Sequence, residues 1–596
     1  VIQSASDVPP VVIELAKKPS ELVVDGGPGF DIVKDKVEAH ALTLLNDYEI
    51  RDQATAKQVR AVLLQIALTE NRFEDALKLS AEIRGLEDKP AAKAVAGMLS
   101  DAYARAALAV GEEDPKFRDA FQAELEKSVA ALDWTVTQDA LQAMRGQFQL
   151  MSRELMVGGL QGGFDANAAA QNNKVGFGMA AGVVGARIAL NEIVPLKDTV
   201  FAVLDKRVKA QSAAVKEDLW TPRLLSLKAE EVKKPVAIAV WDGGFDPKVF
   251  GDQLWKNAKE VANGEDDDGN GYVDDVHGIA FDADWKRSTG ALRPMPAEDL
   301  KDIDATLKLV KGSLDLQAAV DSQEAGALRQ KIGTLKAAEV LPFQLQMARV
   351  GLYLHGTATG YTSSEGNPGA QLMHGRFDYK IQAVADPMDE QVAETMAKYV
   401  RDMVDYYKAN GVRVDNMSWR ITEPQVAATL ASVEPDPEKR KARAKAVFDT
   451  VNKALEESFR GAPDILFVAG AGNEDEDVDF VRSFPAGLNL ANVITVGAVD
   501  VSLQPAGFTS YGKSIDVYAN GFEVPSKVPG GMPINISGTS LSAPQVTNLA
   551  GKILAVNPDL SIAQVRSIIE ETATIEGSRK LKVINPTAAL ERARQS

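Results

Sequence analysis

The chain has 596 residues, 45% of them apolar, enough to bury several cores and too apolar for a disordered or fibrous protein. Its 66 Lys+Arg against 84 Asp+Glu leave a net charge of −18, which repels phosphate backbones and anionic lipid and excludes nucleic acid as an expected partner. Cysteine is absent, so disulfides, a thiolate nucleophile and thiolate-bound metals are ruled out.

No window is expected to supply the ~18 apolar residues of a spanning helix, because Lys174 and Arg187 close off the stretch Val175 to Ala186. The first residue is Val1 rather than Met, as expected where a leader or flanking segment has been removed. Acidic composition without cysteine suits a secreted or cell-envelope bacterial protein.

From Phe30 to about Ala210 the pattern is helical. Val33, Val37, Ala41, Leu44, Leu45 and Tyr48 recur at three- and four-residue steps, as do Val59, Val62, Leu63 and Ile66. Gly85 and Gly111 are expected helix stops. Residues 1–230 are therefore read as an all-α N-terminal domain, with no chemical motif on it.

At Pro235 the texture changes. Val236-Ala237-Ile238-Ala239-Val240 is an uninterrupted apolar run of the type buried in parallel sheets. Further β-like runs (Ile465 to Val468, Val493 to Val496) alternate with helical stretches (Asp389 to Ala409, Ala442 to Arg460, Ser561 to Thr572), so 231–596 reads as an α/β domain with a parallel sheet. Leu300, Ile303, Leu307 and Val310, then Ala325 to Leu335, predict a helical insertion over about 286–341.

Three residues stand where chemistry is expected. Asp242 ends the first apolar run, His355 opens His355-Gly356-Thr357, and Ser540 lies in Gly538-Thr539-Ser540-Leu541-Ser542-Ala543-Pro544. A serine hydroxyl is a poor nucleophile near neutral pH; a histidine must take its proton and a carboxylate must orient that imidazole. Ser540 precedes an apolar stretch ending before Pro558, which places it near a helix N-terminus whose amides help bind an oxyanion. Of the other histidines, His40 and His374 are expected to be structural, and His277 follows an acidic loop.

The strings around these residues carry a resemblance. Ala239 to Gly244, His355 to Gly360, Asn416-Met417-Ser418-Trp419, Ala469-Gly470-Ala471-Gly472-Asn473, Val496 to Asp500, Phe508 to Gly512 and the Ser540 block follow one another as in the subtilisin-like serine proteases, the subtilases. The resemblance covers about Pro235 to Ala589. It implies a subtilisin-like catalytic fold and a serine endopeptidase with Ser540 as nucleophile, His355 as base and acid, Asp242 as orienter and Asn473 as oxyanion donor. Extended substrate is then expected along Ser418, Trp419, Arg420 and Gly470. Departures are Gly243 for Ser or Thr, Ala358 for a second His, Leu541 and Ser542 for Met and Ala, and Arg420 for Gly.

The loop Asp266-Asp267-Asp268-Gly269-Asn270-Gly271-Tyr272-Val273-Asp274 offers oxygens at alternate positions with a glycine at the turn, and predicts a calcium (Ca2+) site on Asp266, Asp268, Asn270, Tyr272 and Asp274. Its twelfth position is His277, so some ligands come from elsewhere. A second acidic run, Glu474 to Asp477 with Asp479, reads as a solvated loop or as an acidic rim that favours basic substrate segments or holds a second cation. Residues 1–230 are expected to regulate the protease by masking its cleft, as in a zymogen. Two other functions stay open: a catalytically silent binding or assembly protein, and an acyl-enzyme peptide ligase or cyclase.

Overall fold

The apolar run at Val236 becomes the centre of a ten-stranded sheet in the computed structural model, which describes residues 1–211, 216–317, 320, 322–577 and 579–596. The expected N-terminal region and insertion each include a few positions outside the described residues. Before the sheet come helices α1 (Pro28–Asp47), α2 (Gln53–Thr69), α3 (Phe73–Leu86), α4 (Met98–Val110), α5 (Trp134–Leu150) and α6 (Phe177–Ile188), among others. They bury the stripes read from the sequence: Val33, Val37, Ala41 and Leu44 on α1 are inaccessible, whereas Tyr48 is exposed past its end. Gly111 caps α4 as expected, but α3 runs through Gly85 to Leu86. One core gathers Tyr103, Phe121 and Leu141, another Val37, Ile66 and Val183.

The helical run Phe177–Ala210 contains a stretch of mean hydropathy 1.4 that is long and apolar enough to cross a membrane, contrary to the sequence expectation. Here Val183, Val184 and Ile188 of that run are buried in the second of these cores.

The sheet is built from β1 (Val236–Asp242), β2 (Gly278–Phe281), β3 (Arg287–Ser288), β4 (Ala370–Phe377), β5 (Val412–Met417), β6 (Leu466–Gly470), β7 (Val493–Val499) and β8 (Val517–Asn520). A hairpin of β9 (Val524–Lys527) and β10 (Pro533–Ile536) stands apart, and β11 (Thr574–Glu576) and β12 (Leu581–Val583) complete the sheet in the order β11-β12-β8-β7-β6-β5-β1-β4-β2-β3. All pairs from β12 to β2 are parallel; only the edge strands β11 and β3 are antiparallel. Both faces are covered, which is why β1 reads as an unbroken apolar run. Ile238 and Val240 face one core, Ala239 and Trp241 the other.

Helices α7 (Ile303–Gln317) and α8 (Gln323–Thr334) form the insertion, followed by α9 (Ala337–Ser364), which carries His355. The expected insertion thus ends inside α9, which continues through Pro342 at its sixth position with the loss of one helical hydrogen bond. Leu307 and Val310 of the insertion share a core with Val350 and Leu354 of α9 and Ile536 of β10. Helices α10 (Glu390–Ala409) and α11 (Pro437–Arg460) pack on the Trp241 face. On the other face α12 (Thr539–Val556), bearing Ser540, and α13 (Ile562–Thr572) cover the sheet.

Asp415, on β5, is fully buried with neither carboxylate oxygen hydrogen-bonded. Burial holds its carboxyl well above the usual carboxylate range. A carboxyl raised in the folded state contributes fully below its unfolded pKa, and that contribution is lost as pH rises toward the folded value. Wild type therefore loses stability by about 1.4 kcal/mol per pH unit at this site above about pH 3.9, and only until the folded carboxyl itself ionises. Asp415→Asn removes that slope; denaturant titrations from pH 5 upward should show a variant whose advantage over wild type grows until the folded Asp415 ionises.

Candidate active site

β1 delivers Asp242 to the carboxyl end of the sheet, where its buried carboxylate accepts three partners. The Gly243 N–H donates to it at 2.7 Å, the Thr359 hydroxyl at 3.2 Å, and His355 Nδ1 lies 2.9 Å from each oxygen. α9 reaches this turn because Gly356 has no side chain: a Cβ there would lie 2.1 Å from the Gly244 carbonyl. Burial opposes the charged imidazolium of His355, but the Asp242 carboxylate outweighs it and the imidazole pKa is raised above its ordinary value. Ala358, in place of a second His, is buried in the core shared with the insertion.

Ser540 is the second residue of α12, in the first turn, where backbone N–H groups lack helical partners. Its hydroxyl donates to the Ser418 carbonyl at 3.4 Å and is not bonded to His355. Ser418 in turn donates its hydroxyl to the Ser540 carbonyl at 2.9 Å, so the end of β5 and the start of α12 are tied together. Asn473 faces the same helix start: its Oδ1 accepts from the Thr539 N–H at 2.8 Å and the Thr539 hydroxyl at 3.1 Å. The N–H can only donate, so the amide orientation is fixed and Nδ2 is the end left to face solvent.

A cavity of about 600 Å³ opens beside Asp242 and His355, walled by Trp285, Phe377, Tyr379, Trp419, Ile421 and Met396 with Ser418 and Arg420 at its margin. Trp419 packs edge-on against Trp241 and Phe377. Gly470 is buried against Thr539; a Cβ there would lie 3.1 Å from the Thr539 carbonyl. The Arg420 guanidinium crosses in front of Gly472, whose φ of +109° and missing Cβ leave room for it. It pairs with Glu474 at 2.5 Å and with Glu476.

The second acidic run is engaged by these and neighbouring contacts. Glu474 and Glu476 neutralise Arg420, and Asp475 pairs with Lys89 at 2.6 Å. Asp477 caps the short helix Val478–Val481, and Asp479 accepts from the N–H groups of Lys513 and Ser514.

The structure separates the residues expected to ligate calcium. Asp266 and Asp274 spend oxygens on backbone N–H groups of the loop, Asn270 turns its Nδ2 to Asp275, and the Tyr272 ring is buried under Arg287. The oxygens that converge, all within 4.8 Å of one another, belong to Glu260, Asp268 and Asp275. Glu260 Oε2 is buried with no hydrogen-bond partner, as an oxygen reserved for a cation would be. Asp268 alone was legible from spacing; Glu260 lies upstream, where no loop rule places a ligand. His277 Nδ1 faces the Trp255 carbonyl, and His374, buried against the Ile279 carbonyl, has its pKa pushed down to about 3 by burial and by Arg376.

Comparison with known proteins matches residues 351–591 to the Subtilase family. Subtilisin BL of Lederbergia lenta is 35% identical over 172 residues, 29% of this chain and 53% of that protein. The cell wall-associated protease of Bacillus subtilis (strain 168) is 36% identical over 109 residues, 18% of this chain and 12% of that protein. The chain thus spans about half the length of the first relative and far less of the second. Among solved structures, a lanthipeptide protease aligns with TM-score 0.36 and 16% identity, covering 60% of this chain and 87% of its own. The PatG macrocyclase in complex with peptide aligns with TM-score 0.37 and 16% identity over 61% and 93%. The likeness to the subtilase family thus rests on residues 351–591.

Proposed function

We propose that the chain is a serine endopeptidase acting through Asp242, His355 and Ser540. The observation that carries this reading is the Asp242–His355 pair: an anchored carboxylate holds Nδ1–H at 2.9 Å, which leaves Nε2 as the base. In the reaction the Ser540 hydroxyl turns from the Ser418 carbonyl to Nε2, gives up its proton and attacks the scissile carbonyl. Such contacts are commonly loose before substrate binds. Charge then develops on the carbonyl oxygen, and Asn473 Nδ2 and the free N–H groups at the start of α12 donate to it. His355 returns the proton to the leaving amine, and water repeats the sequence on the acyl-enzyme.

The apolar cavity supports a protein or peptide substrate that inserts large apolar side chains next to the triad. Glu260, Asp268 and Asp275 would hold Ca2+, whose all-oxygen preference fits this donor set and whose role there is to fix the loop before β2. Calcium should therefore raise the melting temperature and chelation lower it; at 100 times the dissociation constant the gain is about 2.7 kcal/mol. Glu260→Gln should abolish that response in calorimetry without calcium-independent loss of fold. The named relatives and the absence of cysteine support an extracellular or envelope setting.

The function is tested by incubating the chain with an unstructured protein substrate and weighing the products. Fragments whose masses sum to the substrate plus one water for each bond cut are expected; joined or cyclised products lacking that water would replace hydrolysis by ligation.

A further inference from the structure

The described residues of 1–230 contribute none of the walls of the cavity beside Asp242 and His355. They are joined instead to the back of the loop that carries Asn473. Two residues after Asn473, Asp475 adopts a φ of +52°, and its N–H donates to the Phe508 carbonyl at 3.0 Å. Gly472 accepts from the Ser510 N–H at 3.0 Å and Glu476 from the Tyr511 N–H at 3.0 Å, so segments 472–476 and 508–511 are laced together. Into that junction comes Lys89, from just past α3. Its ammonium, 4% exposed as a side chain, pairs with Asp475 at 2.6 Å on one segment and donates to the Thr509 carbonyl at 3.2 Å and the Gly507 carbonyl on the other. Lys57 of α2 adds a longer contact, 3.6 Å, to the same carboxylate.

A turn with positive φ at a non-glycine residue persists only when its surroundings over-determine it. The Thr539 bonds orient the Asn473 amide, but the position of its backbone depends on this turn. A displacement near 1 Å at a reacting centre costs on the order of 100-fold in rate. A buried ammonium with one carboxylate and two carbonyls is a rigid three-point fastening of the kind that prevents it.

We propose that Lys89 is a positioning residue for Asn473, making the N-terminal helical region a built-in part of the oxyanion site and not a cover to be removed. The inference rests on the serine-peptidase reading and goes beyond it by giving residues 1–230 a positive role in turnover. Lys89 does not touch substrate; it acts through Asp475 and the turn.

The test uses the full chain and a chromogenic peptide substrate, with Lys89→Met, which keeps the aliphatic stem, Asn473→Ala and the double variant. Lys89→Met should lower kcat about 10- to 100-fold with KM changed less than about threefold. Because both changes act on one donor, the double variant should be no slower than Asn473→Ala alone. Lys89→Arg should recover part of the rate. Should Lys89→Met fail to hold its circular-dichroism spectrum, Asp475→Asn, nearly identical in shape, is read in its place with the same expectation. An unchanged kcat, a higher kcat, or effects of Lys89→Met and Asn473→Ala that multiply would overturn the proposal. Activity surviving in Ser540→Ala would instead remove the peptidase reading on which it stands.

Discussion

Asp242→Asn lowers kcat by about 10⁴-fold while leaving the fold intact. The carboxylate accepts from the Gly243 N–H, the Thr359 hydroxyl and His355 Nδ1. A carboxamide has only one oxygen to serve those donors, and its NH2 either faces a donor or turns Nδ1 into an acceptor. In the second case the ring proton moves to Nε2, and the base toward Ser540 is lost. The pH profile provides a second readout. In wild type, Asp242 holds the imidazole pKa above its ordinary value, so the neutral, active base is lost as pH falls through a midpoint above about 6.5. In Asp242→Asn the residual activity should lose that displacement, and its acid limb should move to lower pH. Steady-state kinetics from pH 5 to 9 on both proteins tests this; coincident acid limbs would show that Asp242 does not set the base.

Asn473→Ala lowers kcat by on the order of 10²- to 10³-fold with KM nearly unchanged, because its amide is called on only when the carbonyl oxygen becomes an oxyanion. Asn473 is exposed, and its Oδ1 is already committed to Thr539. Truncation therefore removes the Nδ2 donor and one acceptor for the Thr539 N–H, not a piece of core. Asn473→Asp separates these roles: it keeps the acceptor but replaces the donor by a negative charge, and should be at least as slow as Asn473→Ala. Equal kcat in wild type and Asn473→Ala would take this residue out of the mechanism.

Much of this geometry is written in local sequence. The parallel strands are legible because both faces of the sheet are covered, so β6 and β1 as far as Trp241 are apolar. Asp242, His355 and Ser540 are each flagged by short flanking strings that impose a strand end, a close glycine contact and a helix start. What escaped the sequence depends on side chains that meet only in three dimensions. Lys89 looks like any solvated lysine, yet it is buried on Asp475. Arg420 stands where the resemblance expects a glycine, and Glu474 and Glu476 draw its guanidinium against Gly472. Spacing within the acidic loop pointed to alternate oxygens, whereas the loop uses most of them to hold its own backbone and gathers Glu260 from outside. The helix ends are more legible: Asp389 and Ser561 cap α10 and α13, and α3 ends at Leu86, one residue past Gly85.

The central claim is that Ser540 is a nucleophile activated by His355. It is tested most directly by labelling the full chain with a fluorophosphonate probe at neutral pH in the presence of calcium, alongside Ser540→Ala. Wild type should carry one adduct, on the peptide containing Ser540, and the folded variant none. A folded wild type that takes no label, or a Ser540→Ala protein that still does, would contradict the account.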